Sequence, residues 1–169
     1  MLEITSLLCL PVAFILLAAL IVIDLRVQLL PNILVLGLAM AGFVFHASSL
    51  FYYGDVQDLA LGAFIGGATL YFIRAGGNFF YKTETLGLGD VKLMAAGGLW
   101  LGPYFILIAL IAGALAGLVH GGVLIGYNWL KTKKVGPVST FSLPAGPGFA
   151  IGLLTAALAK LWGLPHLLL

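Results

Sequence analysis

Residues 93–130 read LMAAGGLWLGPYFILIALIAGALAGLVHGGVLIGYNWL, a run of 38 residues without one charged side chain. At 1.5 Å per residue a single helix of this length would measure about 57 Å, nearly twice the roughly 30 Å hydrocarbon core of a bilayer. The run must therefore turn once, and Gly102-Pro103 is the natural place because proline cannot continue the hydrogen-bond ladder of a helix. This stretch predicts two helices within a membrane.

The composition of the whole chain also indicates that lipid, and not water, surrounds the protein. Of 169 residues, 62% are hydrophobic and 8% are charged, and the mean hydropathy is +1.17. A soluble domain carries about a quarter of its residues as charged side chains. Eight Lys/Arg and six Asp/Glu cannot solvate a globule of this length. We therefore expect one membrane-embedded domain over residues 1–169, with the lipid bilayer and not nucleic acid as its partner.

Four further apolar runs complete the predicted architecture. They lie at residues 5–23, 33–54, 59–73 and 135–159. Each approaches the roughly 20 residues that a helix needs to span the hydrocarbon core. Together with the two helices of 93–130, they predict an all-α, polytopic membrane protein with six transmembrane helices.

Basic residues gather on one side of this six-helix arrangement. The positive-inside rule makes that side cytoplasmic. The acidic Glu3, Asp55 and Asp58 fall on the other side, so both termini are expected on the non-cytoplasmic side. Lys160 lies within the last span. The seven basic residues of the cytoplasmic loops are Arg26, Arg74, Lys82, Lys92, Lys131, Lys133 and Lys134.

Two carboxylates, Asp24 and Asp90, fall at the cytoplasmic boundary. Asp24 closes the first span and Asp90 opens the fourth. A carboxylate at a helix start can simply complement the helix dipole, which suits Asp90, but at a helix C-terminal end, as for Asp24, negative charge is disfavoured. Acidic residues near membrane depth are costly and often functional. Position alone leaves a helix-end role and a functional role both open.

The chemistry of such a pair is well defined. Two carboxyls brought together in a low-dielectric site cannot both ionise, and they share one proton. The ionised member can activate water as a general base while the protonated member donates to the scissile carbonyl. Gly87 and Gly89 precede Asp90, and glycine permits close backbone approach, so an extended substrate could lie against this segment.

Several segments resemble the type IV prepilin peptidases and the related archaeal preflagellin peptidases. Residues 87–93 (GLGDVKL) resemble the GxGD motif of that family, and residues 94–102 are similar to the sequence that follows it. Residues 23–24 (ID) with residues 30–32 (LPN) resemble its first aspartate segment. Residues 143–150 (LPAGPGFA) resemble its proline–glycine motif at the last helix.

The resemblance implies an intramembrane aspartic peptidase with Asp24 and Asp90 as its catalytic pair, and no metal or cofactor. It implies that prepilins or pseudopilins of type IV pilus or protein secretion systems are cut just before their hydrophobic helix. The protein would be a monomer or homodimer in the cytoplasmic (inner) membrane, its active site facing the cytoplasm. Larger bacterial members carry two N-terminal CxxC pairs and methylate the product. With Cys9 as the one cysteine, this sequence resembles the short form, and methylation is expected to be absent.

A small transporter or channel is the competing hypothesis, with Asp24 and Asp90 as ion or proton sites. It accounts for acidic residues within the membrane. However, a permeation path should distribute polar groups through its depth, and the second, third and sixth spans carry almost none. A non-catalytic assembly scaffold is a third possibility, which would require both aspartates to be replaceable.

Overall fold

A computed structural model describes residues 2–132 and 145–161, and every regular element within them is helical. The all-α prediction is confirmed. Among the described residues, three segments are long and apolar enough to cross a membrane, Ile4–Val27, Val56–Tyr81 and Leu88–Val123, and two shorter helices are also apolar. The helices are α1 (Leu2–Val27), α2 (Asn32–Ser48), α3 (Val56–Tyr81), α4 (Leu88–Thr132) and α5 (Gly146–Leu161).

Helix α4 is broken at the predicted Gly102-Pro103 position, where Gly102 has φ 77° and ψ −179°. A side chain added at Gly66 on α3 would meet both Met94 and Ile106, which lie on either side of the break. In an unbroken helix these two residues would be about 18 Å apart. The chain therefore doubles back at Gly102, and we call the two arms α4a (residues 88–101) and α4b (residues 103–132).

Glycines allow α3 and α5 to pack closely on this hairpin. A Cβ at Gly62 of α3 would lie against Gly98 and Gly102, so the two backbones are in direct contact there. On the other side, Gly152 of α5 faces the backbone of Ala109 on α4b. Close contact of this kind is how helices gain packing energy in lipid, where no hydrophobic force draws them together. The largest fully buried apolar side chains are Leu20, Leu38, Leu93, Met94 and Ile106.

The break leaves carbonyl groups at the end of α4a without partners inside the helix. Lys160 Nζ of α5 donates to the carbonyl oxygens of Trp100 (3.1 Å) and Leu101 (3.2 Å). The Nε2 atom of His46 on α2 lies 3.2 Å from the same Trp100 oxygen. A cation is also favourable beside a helix C-terminus. Lys160 thus binds the carbonyl groups at the turn of the hairpin. We call the end of the bundle that contains Gly102 and Lys160 the turn end.

Helix boundaries depart from the predicted runs at two places. Helix α2 ends at Ser48 instead of continuing to residue 54, because Leu50 and Phe51 adopt positive φ angles of 51° and 57° in the following turns. Helix α3 continues to Tyr81, past the predicted end at residue 73, because Arg74 finds polar partners beside the helix. Residues 135–144 of the predicted last span lie outside the described residues.

Candidate active site

Asp24 lies in the last turn of α1 and is 5% exposed. Its Oδ2 accepts a hydrogen bond of 3.0 Å from the backbone N–H of Gly146, the first residue of α5. The first N–H groups of a helix lack intrahelical partners and attract negative charge. The carboxylate that is unfavourable at the end of its own helix is therefore held by the start of another.

Asp90 lies in the first turn of α4a and is 6% exposed. Its carboxylate is hydrogen-bonded by the backbone of Gly87, which immediately precedes the helix. An acidic side chain reaching back to the residue before its helix is a common capping arrangement. The Oδ1 atom of Asp90 is buried and has no hydrogen-bond partner among the residues that the structure describes.

Asp24 and Asp90 come together at the end of the bundle opposite the turn, which we call the aspartate end. The two carboxylates are close enough to interact electrostatically. They are separated by 66 positions in the chain, and different helices carry them. Such a pair can share a proton, with one member as base and the other as acid. Within residues 2–132 and 145–161 no group of three or more His, Cys, Asp or Glu side chains could hold a metal ion.

At both glycines of the GLGD segment, the space that a side chain would need is occupied by other residues of the chain. A Cβ at Gly87 would lie 3.1 Å from Oδ2 of Asp90, so this glycine makes room for the carboxylate. A Cβ at Gly89 would lie 2.8 Å from the Cβ of Leu30, in the segment that follows Asp24. Gly89 thus lets the two aspartate segments pack against each other. A role for Gly87 and Gly89 in binding substrate stays a prediction.

Several side chains around the site have contacts that the sequence does not predict. Lys92 donates a hydrogen bond of 2.9 Å to Asn32, and so links the GLGD segment to the LPN segment. Arg74 and Asn78 of α3 hold the segment before Gly87, as described below. Gly146 lies in the LPAGPGFA motif, but its contact with Asp24 has no local sequence signal. Leu143 and Pro144 of that motif lie outside the described residues.

Comparison with known proteins places this architecture in a family. A sequence profile described as the type IV leader peptidase family matches residues 11–122, which include Asp24 and Asp90. The chain belongs to the type IV leader peptidase family. The resemblance found in the GLGD, ID and LPN segments is therefore confirmed as a family relationship.

Individual members of the family are similar over most of this chain. A "Prepilin leader peptidase/N-methyltransferase" from Escherichia coli K12 is 40% identical over 120 residues, 69% of this chain and 52% of the relative. The proteins of the same description from Pectobacterium carotovorum and Legionella pneumophila are 36% and 35% identical, over 78% and 87% of this chain and 44% and 47% of their own lengths.

The chain spans about half the length of these leader peptidase relatives. No solved structure gives a significant match. The profile and the relatives are described as leader peptidases, so the comparisons give no support to the transporter hypothesis.

Proposed function

We propose that this chain is an aspartic endopeptidase that removes the leader peptide of prepilins or prepilin-like proteins, with Asp24 and Asp90 as its catalytic pair. The observation that carries the proposal is the placement of two buried carboxylates, from distant parts of the sequence, at one end of the bundle. Both lie within the part of the chain that matches a leader peptidase family. The proposed activity is peptide cleavage alone, because the matching family is described as one of leader peptidases.

The mechanism follows from the two carboxyl groups. The ionised member removes a proton from a water molecule, and the water oxygen attacks the carbonyl carbon of the scissile bond. The protonated member donates its proton to the carbonyl oxygen. Collapse of the tetrahedral intermediate breaks the C–N bond, and the amine of the mature chain leaves with a proton from the dyad. Oδ1 of Asp90, which has no hydrogen-bond partner among the described residues, is the oxygen that we assign to the water or the carbonyl.

The substrate has to be extended at the scissile bond. In a helix each carbonyl is already hydrogen-bonded and is shielded by side chains. A leader junction just before a hydrophobic helix meets this condition if the helix stays in the membrane while the leader unwinds at the site. We propose that such a helix enters from the bilayer and that the GLGD backbone, with Gly87 and Gly89, supports the extended segment.

For the membrane arrangement we propose six spans, in which α4a and α4b count separately, with both termini on the non-cytoplasmic side. Arg26 lies at the same helix end as Asp24, Lys92 at the same helix end as Asp90, and Lys82 caps the end of α3 that leads into the GLGD segment. The positive-inside rule makes this end of the bundle cytoplasmic. The aspartate end would then face the cytoplasm in the inner membrane. The chain would act as a single membrane domain, as a monomer or a homodimer.

The test is cleavage of co-expressed prepilins by the wild-type chain, Asp24→Asn and Asp90→Asn, read by mass as the loss of a leader. Asparagine keeps the size of aspartate but cannot serve as an acid or a base. We expect the wild type to cleave, and both variants to accumulate in the membrane and leave the precursor intact. An undiminished rate in either variant would show that the aspartate mechanism is wrong.

A further inference from the structure

We propose that Arg74 and Asn78 of α3 are positioning residues for Asp90, acting through the segment of residues 82–87. This inference rests on the proposed function, since it assigns the two side chains to the catalytic carboxylate. The segment joins α3 to the GLGD motif and makes most of its polar contacts with these two residues, which lie one helical turn apart.

Asn78 fixes the place where the chain returns from α3. Its side-chain Oδ1 accepts hydrogen bonds from the backbone N–H of Thr85 (2.8 Å) and from the Thr85 hydroxyl (3.0 Å). Its backbone oxygen accepts the N–H of Lys82 (2.9 Å), which ends the helix in a left-handed conformation with φ 54°. Neighbouring Gly77 has no space for a side chain, because Thr85 occupies it.

Arg74 fixes the residue next to the motif. Its Nε donates to the carbonyl oxygen of Leu86 at 2.7 Å, and its Nη2 pairs with Glu84 at 2.9 Å. The Arg74 side chain is 15% exposed, whereas that of Glu84 is 84% exposed. A largely buried guanidinium requires hydrogen-bond acceptors, so Arg74 holds the Leu86 carbonyl strongly. The Leu86 side chain packs against the hydrophobic core.

If Leu86 were displaced, the Asp90 carboxylate would be displaced with it. Gly87 follows it, and the backbone of Gly87 bonds the Asp90 carboxylate across the first turn of α4a. Only three residues separate Leu86 from Asp90, so a shift of Leu86 should move the Asp90 carboxylate. A misplacement of about 1 Å at a catalytic group can cost about a hundredfold in rate.

The closest backbone contacts between α3 and α4 lie away from the segment of residues 82–87. They lie at Gly62 and Gly66, in the middle of the bundle, where backbone meets backbone. Loss of the Arg74 or Asn78 contacts should therefore leave the packing of α3 against α4 intact, and cost only these local contacts, while it releases the segment. A merely structural residue would raise exchange throughout α3 and α4, and not only in the segment, as catalysis falls.

The experiment compares Asn78→Ala and Arg74→Gln with two matched controls. Asn78→Asp keeps the acceptor oxygen that Thr85 uses, and Glu84→Gln removes only the negative charge of the exposed partner of Arg74. Each protein is purified in detergent. Hydrogen–deuterium exchange of residues 82–90 measures the segment without any substrate, thermal unfolding measures the fold, and kcat and KM are measured on a prepilin that the wild type cleaves.

We expect Asn78→Ala and Arg74→Gln to exchange faster at residues 84–90 and to lose about tenfold to a hundredfold in kcat. KM should stay within twofold, thermal unfolding should remain a single transition, and exchange in the rest of α3 and α4 should match the wild type. Both controls should match the wild type throughout. Unchanged exchange in the two variants would overturn the proposal, as would an equal loss in Asn78→Asp. If exchange responds but no prepilin is cleaved by the wild type, the endopeptidase proposal fails while the anchoring of the segment stands.

Discussion

The backbone N–H of Gly146 donates a hydrogen bond of 3.0 Å to Oδ2 of Asp24, and so joins the start of α5 to the last turn of α1. Glycine is required there for space: a Cβ at position 146 would lie 2.6 Å from the Oδ2 atom and 2.8 Å from the Cγ atom of Asp24. The proline–glycine motif of the last helix thus has a physical task, which is to bring a helix N-terminus against the carboxylate.

Gly146→Ala should therefore reduce cleavage. The added methyl group must push Asp24 or α5 away, and we expect a loss of about tenfold to a hundredfold in kcat on a prepilin substrate. Gly122→Ala is the matched control, since a Cβ at Gly122 meets nothing within 4 Å. Equal rates for Gly146→Ala and Gly122→Ala would contradict the view that this contact sets the position of Asp24.

The sequence was sufficient for the features that depend on long apolar runs. The uncharged run of residues 93–130 exceeds a bilayer and contains one proline next to a glycine, so the break at Gly102 could be located by length alone. The sorting of basic loops placed Asp24 and Asp90 at one boundary. Position on one side does not set the distance between them: the family resemblance predicted the pair, and the folded chain brings the two carboxylates close enough to interact.

The contacts that hold these carboxylates could not be predicted in this way. The bonds of Gly146 to Asp24 and of Arg74 to Leu86 join a side chain to a backbone group, and backbone groups look alike at every residue. Lys160 was anomalous in sequence, as a basic residue in an apolar span, but only the folded hairpin reveals the carbonyls that it serves. The turn at Leu50 ends α2 within an apolar run, so hydropathy gives no sign of where that helix ends.

The backbone contact between α3 and α4 should make Gly62 sensitive to a single methyl group. A Cβ there would lie 2.7 Å from the Cα of Gly102, and neither backbone can move aside as a flexible side chain could. We expect Gly62→Ala to destabilise the protein by about 1–3 kcal/mol, the usual cost of overpacking. Thermal or denaturant unfolding in detergent measures this.

Gly76→Ala on the same helix is the control for Gly62→Ala. A Cβ at Gly76 meets nothing within 4 Å. Because alanine favours the helix over glycine by up to about 1 kcal/mol, Gly76→Ala should be neutral or stabilising. If both variants melted like the wild type, the close approach of α3 and α4 would not be a source of stability.

Lys160 should stabilise the turn end of the bundle. Lys160→Met keeps the length of the side chain but removes the donor to the Trp100 and Leu101 carbonyls. Buried acceptors left unpaired cost about 1–3 kcal/mol, so we expect a loss of that size in the free energy of unfolding. Lys131→Met removes an exposed lysine from the end of α4b and should change stability little. A Lys160→Met protein as stable as Lys131→Met would show that water replaces the ammonium group.

The electrostatic interaction between Asp24 and Asp90 predicts how cleavage depends on pH. The mechanism needs one ionised and one protonated carboxyl. Acid protonates the base, and alkali removes the proton of the acid, so kcat/KM should fall on both sides of an optimum. Glu84→Gln, which replaces an exposed carboxylate, should leave both limbs in place. The measurement is kcat/KM from about pH 4 to about pH 9, with folding checked at each pH. A rate that stays constant to the alkaline limit of folding would mean that no protonated carboxyl takes part, and the acid role in the dyad would have to be given up.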